Sequence, residues 1–225
     1  MRPHGVGIAG FGGYVPAYRI ATREILAVWP SSRGNAGVEE KAVCGPDEDV
    51  TTMCIEAGRE ALKRSRLAAE AVGACWVGSE SAPYGAKPAA TVVAAALGFT
   101  PNVVAADVQF ACKSGSEAMQ AAIAFVGAGM VQGAMAMGAD AAQSRPGDAL
   151  EVTASCGAAA FVFAQGEESL AIVEASVSHV SDCADFYRRQ GARYPQHAGR
   201  LKKLLERPFP IPPILIPDPR NERAA

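Results

Sequence analysis

Short apolar runs and longer alanine-rich runs alternate along this chain, which predicts β-strands separated by α-helices. Val72–Gly78 is a continuous apolar run of strand length, so it predicts a buried strand. Val103–Val108 predicts another strand. Upstream of both, a helix is predicted from about Asp49 to Ser65, because Ile55 and Leu62 are spaced seven residues apart and share one of its faces.

The N-terminal pattern predicts a strand followed by a short helix. Gly5–Gly13 combines Val and Ile with glycines, and it predicts a first strand that ends in a glycine turn. These glycines suggest a dinucleotide-binding turn, but the extended step at Pro16 argues against a helix that opens on a phosphate there. Thr22 predicts the cap of a short helix that ends at about Trp29.

The remaining pattern predicts two more helices and three more strands. Pro88 is typical of the first turn of a helix, here Ala89–Leu97, and Ser116–Met130 is a proline-free helical run. The further strands are predicted at Gly133–Gly138, Ala158–Ala164 and Leu170–Val177, the last two being adjacent and joined by a turn at Gly166–Glu168. This alternation predicts a layered α/β domain with a mixed sheet.

The composition agrees with a compact α/β protein that forms a core. Of the 225 residues, 49% are hydrophobic and 23 are glycine. The formal net charge of −2 gives no reason to expect binding to nucleic acid or to an anionic membrane. We find neither a signal-peptide pattern nor an apolar run that could span a bilayer, so a cytoplasmic location is expected.

The six cysteines form no CxxC pair and no cluster typical of a metal site. They stand at positions 44, 54, 75, 112, 156 and 183. In a reducing compartment we expect them to remain free thiols, and we expect no bound metal.

Cys112 is the leading candidate for a reactive residue. It lies where the predicted strand Val103–Val108 meets the predicted helix Ser116–Met130. Unpaired N–H groups and the helix dipole favour an anion near a helix N-terminus, so the pKa of this thiol is expected to be lowered and its thiolate to act as a nucleophile. The alternative is a small buried residue, because free cysteines are often found in cores.

Five segments of the chain form a specific series when they are taken together. They are Gly7–Pro16, Gly45–Asp49, Val77–Pro88, Ala106–Gly115, and Gly138–Asp140 with its continuation at Pro146–Glu151. In this order and spacing they resemble the N-terminal half of hydroxymethylglutaryl-CoA synthases of the archaeal type, a family of the thiolase superfamily. The resemblance extends to about Arg200. It implies a thiolase-like layered fold, in which one βαβαβαββ half has a mixed sheet around a buried helix.

The resemblance implies an acyl-CoA C-acyltransferase of the mevalonate pathway of isoprenoid biosynthesis. In that family acetyl-CoA acetylates a cysteine, and a glutamate then removes a proton from the acetyl methyl group. The enolate attacks the ketone of acetoacetyl-CoA, and hydrolysis releases the product. By motif match, Cys112 is the acyl nucleophile and Glu80 is the general acid/base, while the backbone N–H of Cys112 donates to the thioester oxyanion. No tightly bound cofactor is implied, since acetyl-CoA and acetoacetyl-CoA are substrates.

Glu80 also has an argument from its position. It follows the predicted strand Val72–Gly78 at the carboxyl end, where open α/β sheets usually build their sites. A carboxylate in a dry pocket can have its pKa raised toward neutrality, as a general base requires. The residues alone favour a solvated loop glutamate, whereas the motif Gly78-Ser79-Glu80-Ser81 favours the base.

Other polar residues near the motifs are expected to be structural. Asp148 and Glu151 are expected to shape their loop and a dimer contact, and Cys156 to be a small packed residue. His179 and His197 suggest a Cys–His pair with Cys112. The resemblance instead implies that the catalytic histidine belongs to the family's second half.

The chain is expected to divide into a thiolase-like N-terminal half, residues 1–200, and a divergent tail, residues 201–225. Six prolines lie between Pro208 and Pro219, which excludes a helix or a central strand there. The family continues with a Phe-Thr-Gly-Glu-Pro segment that Leu201-Lys202-Lys203 does not match, so a truncation or frameshift is expected. Because the second half supplies the catalytic histidine, complete turnover by this chain alone is not expected.

Two other functions remain open. One is a ketoacyl-carrier-protein synthase III-like enzyme, which shares the strand–Cys–helix element. The other is a non-catalytic thiolase-like interaction subunit, because the resemblance implies a homodimer and contacts with a thiolase and a small OB-fold protein. Acetylation of Cys112 by acetyl-CoA would distinguish an enzyme from a scaffold.

Overall fold

The computed structural model describes residues 3, 5–30, 37–99, 101–109, 111–166, 169–178, 180 and 186–197. They fall into two compact units, Met1–His179 and Val180–Ala225. In the second unit, the described residues form a short antiparallel pair, β9 (Phe186–Tyr187) and β10 (Gln196–His197). The predicted proline-rich tail lies outside the described residues, so the division at residue 200 stays a prediction.

The first unit contains eight strands and four α-helices among its described residues. In chain order they are β1 (Val6–Tyr14), β2 (Tyr18–Ala21), α1 (Thr22–Val28), β3 (Glu40–Val43), α2 (Val50–Ser65), β4 (Val72–Gly78), α3 (Ala89–Ala96), β5 (Val104–Val108), α4 (Ser114–Gly127), β6 (Gly133–Ala141), β7 (Cys156–Gln165) and β8 (Ala171–Ile172). A 3₁₀ turn at Ala69–Ala71 leads into β4.

Six of these strands form one mixed sheet in the order β5-β4-β6-β7-β1-β8. The strands β5, β4 and β6 are parallel, whereas β7 runs antiparallel to both β6 and β1. Strand β8 adds to the outer edge of β1. The predicted mixed α/β architecture is therefore confirmed.

The sheet separates two hydrophobic cores because successive strand residues point to opposite faces. On β4, Cys75 and Val77 belong to the core beneath α2 and α3, whereas Ala74 and Trp76 belong to the core beneath α4. The indole of Trp76 meets the ring of Phe125 edge to face, with the ring centroids 4.8 Å apart. Burial on both faces explains why β4 is an unbroken apolar run.

The N-terminal glycines form part of a strand, so the predicted glycine turn is wrong. Strand β1 continues to Tyr14, and helix α2 packs directly against it. A methyl group on Gly12 would overlap the carbonyl oxygen of Ala57 and lie 2.7 Å from the nitrogen of Ala61. The absence of a side chain therefore lets the helix backbone lie against the strand.

We expect Gly12→Ala to lower the free energy of unfolding by about 1–3 kcal/mol, since helix backbone atoms must shift to admit the methyl group. Gly13→Ala is the matched control. A methyl group on Gly13 has only an ordinary contact, 3.7 Å from the carbonyl oxygen of Ala158. Urea unfolding followed by circular dichroism measures both variants. Equal midpoints for the two would contradict the packing argument.

Helix α2 has the predicted extent, and its start explains why. Asp49 is the N-cap, and its Oδ1 accepts a hydrogen bond from the backbone N–H of Thr52 at 2.8 Å. The Thr52 hydroxyl in turn accepts from the N–H of Asp49 at 2.8 Å, which completes a capping box. Ile55 and Leu62 both pack against the same core, as their spacing predicts.

Two other cap predictions differ from the structure by one position. Thr22 is the first residue of α1 rather than its cap, and Ala21 is the N-cap. Pro88 is the N-cap of α3, where the Asp107 carboxylate of β5 accepts from the N–H groups of Ala89 and Ala90 at 2.7 and 2.9 Å. The carboxylate of a strand residue thus accepts from N–H groups at the N-terminus of α3 that have no partner within the helix.

The pairing of the strands contains features that the pattern did not predict. The predicted adjacent strands Ala158–Ala164 and Leu170–Val177 do not pair with each other, because β1 lies between β7 and β8. Strands β2 and β3 form a separate antiparallel pair that was missed. β2 is mostly exposed, so it has no buried apolar face to mark it in the sequence.

Candidate active site

The carboxyl ends of three parallel strands meet at one edge of the sheet. Gly78 of β4 is in register with Val108 of β5 and with Gly138 of β6. Glu80 and Asp140 each follow two residues after the aligned glycines, and Cys112 follows β5. The parallel register therefore brings these side chains to one edge, as expected for an open α/β sheet.

Asp140 holds the segment that carries Glu80. Its Oδ1 accepts hydrogen bonds from the hydroxyls of Ser79 and Ser81, at 3.0 and 2.6 Å, and from the backbone N–H of Glu80 at 2.9 Å. The Ser81 hydroxyl also accepts from the N–H of Ala141 at 2.9 Å. The loop after β4 is thereby fixed to the end of β6.

Ser79, Ser81 and Asp140 were given no role in the sequence analysis. The available signal was the equal spacing of Glu80 and Asp140 from glycines that are aligned on neighbouring parallel strands. A carboxylate at such a position can accept from N–H and hydroxyl groups of the adjacent loop. Recognising it requires the register, which the pattern alone does not provide.

Cys112 is positioned by a close approach of α4 to the sheet. A methyl group on Gly78 would overlap the backbone of Ser114 and lie 2.5 Å from the nitrogen of Gly115. A methyl group on Gly115 would lie 3.2 Å from the Cα of Gly138. Glycines on β4, α4 and β6 thus let the start of the helix rest on the strand ends.

The residue before Cys112 has a strained backbone. Ala111 has a φ of 44°, in the left-handed region that costs a non-glycine residue about 1–2 kcal/mol. Its carbonyl accepts from the N–H of Ser114 at 3.1 Å, which closes the turn into α4. The turn presents the exposed Cys112 side chain two residues ahead of the helix.

The sequence predicts a lowered pKa for Cys112, but the surroundings that the structure describes raise it. Although the residue is exposed, partial desolvation of the sulfur by surrounding protein atoms raises the pKa of this thiol, and the charge of Glu80 raises it further. The thiol's own backbone N–H opposes the rise by hydrogen bonding, whereas Asp140 adds to it. Two carboxylates near the sulfur disfavour the thiolate, and the helix begins only at Ser114.

We expect iodoacetamide to modify Cys112 with a pH midpoint above that of a free cysteine. Glu80→Gln is expected to move this midpoint to lower pH, because it removes the negative charge that opposes thiolate formation. Peptide mass spectrometry of the segment containing Cys112, over a pH series, measures the shift. Glu56→Gln on the exposed face of α2 is the control, and identical midpoints in all three proteins would contradict the proximity of Glu80.

A cavity of about 470 Å³ lies beside Cys112. Its wall includes Cys112 and Ser114 at the start of α4, Asp140 of β6, and Cys156 and Phe161 of β7. Glu80 lies close enough for its charge to act on Cys112, although it is not part of this wall. The structure therefore brings together the two residues that the motifs single out, next to a space that can admit a small acyl group.

Asp148 and Glu151 hold backbone N–H groups of the loop before β7, as expected for residues that shape this loop. The Glu151 carboxylate accepts from the N–H of Gly147 at 2.6 Å, and the Asp148 carboxylate accepts from the N–H of Leu150 at 3.0 Å. Cys156 was expected to be a small packed residue. It is half-buried and lines the cavity.

His179 lies outside the described residues, whereas His197 belongs to β10. Among the described side chains, no group of three or more His, Cys, Asp and Glu could hold a metal ion. None of the described helices has the length and apolar character needed to cross a membrane.

Comparison with known proteins finds relatives that are hydroxymethylglutaryl-CoA synthases. The chain is 54% identical over 197 residues to a hydroxymethylglutaryl-CoA synthase of Pyrococcus furiosus, a match that covers 87% of this chain and 56% of the relative. It is 50% identical over 200 residues to one of Methanothermobacter thermautotrophicus, which covers 87% of this chain and 57% of the relative. The chain thus spans little more than half the length of the curated relatives it matches. No family model matches the chain.

Solved structures with low sequence identity share the fold. MvaS in complex with 3-hydroxy-3-methylglutaryl coenzyme A superposes with a TM-score of 0.79 at 22% identity, over 91% of this chain and 50% of that one. The priming β-ketosynthase of the R1128 polyketide pathway superposes with a TM-score of 0.66 at 20% identity, over 74% and 52% of the two chains. The expected thiolase-like fold is confirmed by these likenesses. The sequence identity to the archaeal relatives shows that the chain belongs to the archaeal type of the hydroxymethylglutaryl-CoA synthase family and matches its N-terminal half.

Proposed function

We propose that this chain carries the acyl-transfer residues of a hydroxymethylglutaryl-CoA synthase. The observation that carries the proposal is the convergence of Cys112 and the Asp140-anchored Glu80 loop at the carboxyl ends of β4, β5 and β6. The identity of 54% to archaeal synthases supports the same chemistry. The substrates are acetyl-CoA as acetyl donor and acetoacetyl-CoA as acceptor, as in the mevalonate pathway.

In the first step, Cys112 attacks the thioester carbonyl of acetyl-CoA, and the carbon–sulfur bond to CoA breaks. The backbone N–H of Cys112 donates to the developing oxyanion. This role is supported by the position of the N–H beside the attacking sulfur of the same residue. The CoA thiolate takes up a proton when it leaves, so the products are acetyl-Cys112 and free CoA.

In the second step, Glu80 removes a proton from the acetyl methyl group. The resulting enolate attacks the ketone carbon of acetoacetyl-CoA, and water then cleaves the thioester to Cys112. Asp140 accepts from the Glu80 N–H and from the hydroxyls of the residues on either side of it, so a general base at this position is held in a defined place. The family's catalytic histidine is implied to lie beyond the residues that resemble its first half.

The other two functions are less well supported. A ketoacyl-carrier-protein synthase III-like enzyme agrees with the fold, but the relatives above 50% identity are synthases of hydroxymethylglutaryl-CoA. A non-catalytic interaction subunit would not need a cysteine beside a cavity together with a glutamate whose charge acts on that cysteine.

The decisive test is acetylation of the purified chain by acetyl-CoA. We expect mass spectrometry to find one acetyl group on the peptide that contains Cys112, and none in Cys112→Ala. This result would favour an acyltransferase over a scaffold. A folded wild-type chain that stays unmodified at saturating acetyl-CoA would contradict the proposal.

The proposal extends to assembly and location. A homodimer is supported by the position of β5 at an outer edge of the six-stranded sheet, where its backbone can pair with another strand. Contacts with a thiolase and a small OB-fold protein rest on the resemblance alone. A reducing cytoplasm is supported by the free thiols among the described cysteines.

A further inference from the structure

A second thiol lines the cavity beside Cys112, and it has a cysteine partner. Ser155 ties β3 to the start of β7, because its hydroxyl accepts from the N–H of Ala42 at 2.9 Å and donates to the Ala42 carbonyl at 3.3 Å. Cys44 follows two residues after Ala42, and Cys156 follows Ser155 directly. The two thiols therefore lie next to each other, and both are free.

The two thiols have different surroundings. Cys156 is half-buried and lines the cavity. The Lys41 ammonium interacts with Cys156 and donates to the carbonyl of Glu151 at 2.6 Å. Burial and then the neighbouring Cys156 thiol raise the pKa of Cys44 to about 12. Both thiols are half-buried, but Cys156 is the one that lines the cavity and lies near a cation, whereas the surroundings of Cys44 favour its neutral thiol.

We propose that Cys44 and Cys156 form a reversible dithiol–disulfide pair in the cavity wall, with low-molecular-weight disulfides such as oxidised glutathione as the co-reactant. The Cys156 thiolate attacks one sulfur of the small disulfide, and one small thiolate leaves. Cys44 then loses its proton and attacks the Cys156 sulfur, which releases the second small thiolate. The two cysteines are oxidised to one disulfide, the co-reactant is reduced to two thiols, and the two protons end on the released thiolates.

The remaining described cysteines are not expected to take part in this exchange. Cys54 and Cys75 are fully buried, and burial raises the pKa of both thiols. Cys112 is exposed, so it can carry a mixed disulfide. The Cys44–Cys156 exchange does not depend on acyl transfer, because neither thiol has a role in the proposed synthase chemistry.

The experiment uses the full reduced chain with oxidised glutathione, followed by acid quenching, alkylation and peptide mapping. We expect a Cys44–Cys156 cross-link that dithiothreitol reverses, with glutathione retained, among the cysteines that the structure describes, only on Cys112. In Cys44→Ser we expect glutathione to be retained on Cys156 as well. Lys41→Gln is expected to slow cross-linking several-fold, and circular dichroism checks that each variant is folded.

Three results would overturn the proposal. The first is glutathione that persists on Cys156 in the wild-type chain, because Cys44 would then fail to resolve it. The second is modification of Cys44 in Cys156→Ser at the wild-type rate, which would reverse the order of attack. The third is a wild-type chain in which Cys112 is modified and neither Cys44 nor Cys156 reacts.

Discussion

Glu80→Gln is expected to slow exchange of the acetyl protons by about 100- to 10,000-fold while Cys112 still becomes acetylated. The amide keeps the size of the side chain, and the backbone of residue 80 still donates to Asp140. It cannot accept a proton, so enolate formation fails. Incubation with acetyl-CoA in deuterated water, followed by mass spectrometry of the acetyl group, measures the exchange.

The acetylation step is the internal control for this variant. Removal of the Glu80 charge lowers the pKa of Cys112, so formation of acetyl-Cys112 should be retained. Glu56→Gln should leave both exchange and acetylation at wild-type rates, because this carboxylate lies on the exposed side of α2. Loss of acetylation in folded Glu80→Gln protein would show that the proposed role of Glu80 is wrong.

Gly78→Ala is expected to lower the rate of Cys112 acetylation by about 100-fold, the size of effect that a displacement of about 1 Å can have. The added methyl group would lie 2.5 Å from the nitrogen of Gly115, so the start of α4 must move away from β4. Cys112 stands just before this helix and would move with it. The rate of acetyl-enzyme formation is measured by rapid quenching and mass spectrometry.

Gly85→Ala is the matched control for this change. It adds the same methyl group in the loop after Glu80, where no atom lies within 4 Å of it. We expect the wild-type rate of acetylation from this control. If folded Gly78→Ala protein also acetylates at the wild-type rate, the glycine contact does not position Cys112.

The sequence predicts best those elements whose signals are local. The spacing of Ile55 and Leu62 and the unbroken apolar run of Val72–Gly78 mark their elements in the sequence, and the structure has both within a residue of the predicted bounds. The glycines of β1 carry no such local signal. These positions are glycine because α2 packs directly against β1, and this contact is apparent only when the two elements are packed. The position of β1 between β7 and β8 likewise depends on pairing between residues that are far apart in the sequence.

In the candidate site too, local motifs predict the residues, whereas long-range contacts determine their surroundings. The motifs single out Cys112 and Glu80, and the structure brings them together because β4 and β5 end in register. The direction of the Cys112 pKa could not be predicted, because it depends on burial and on carboxylates contributed by two other strands. The role of Asp140 also depends on the pairing of β4 with β6.

The place of β1 in the sheet also determines when this unit can fold during its synthesis. Strand β1 leaves the ribosome well before both its partners in the sheet, since Gly10 pairs with Val162 and Gly7 with Ile172. At roughly 5–20 residues per second, β1 waits on the order of ten seconds for these partners. The nascent chain therefore presents an unpaired, glycine-rich strand throughout that time, and unpaired strands of this kind are prone to aggregation.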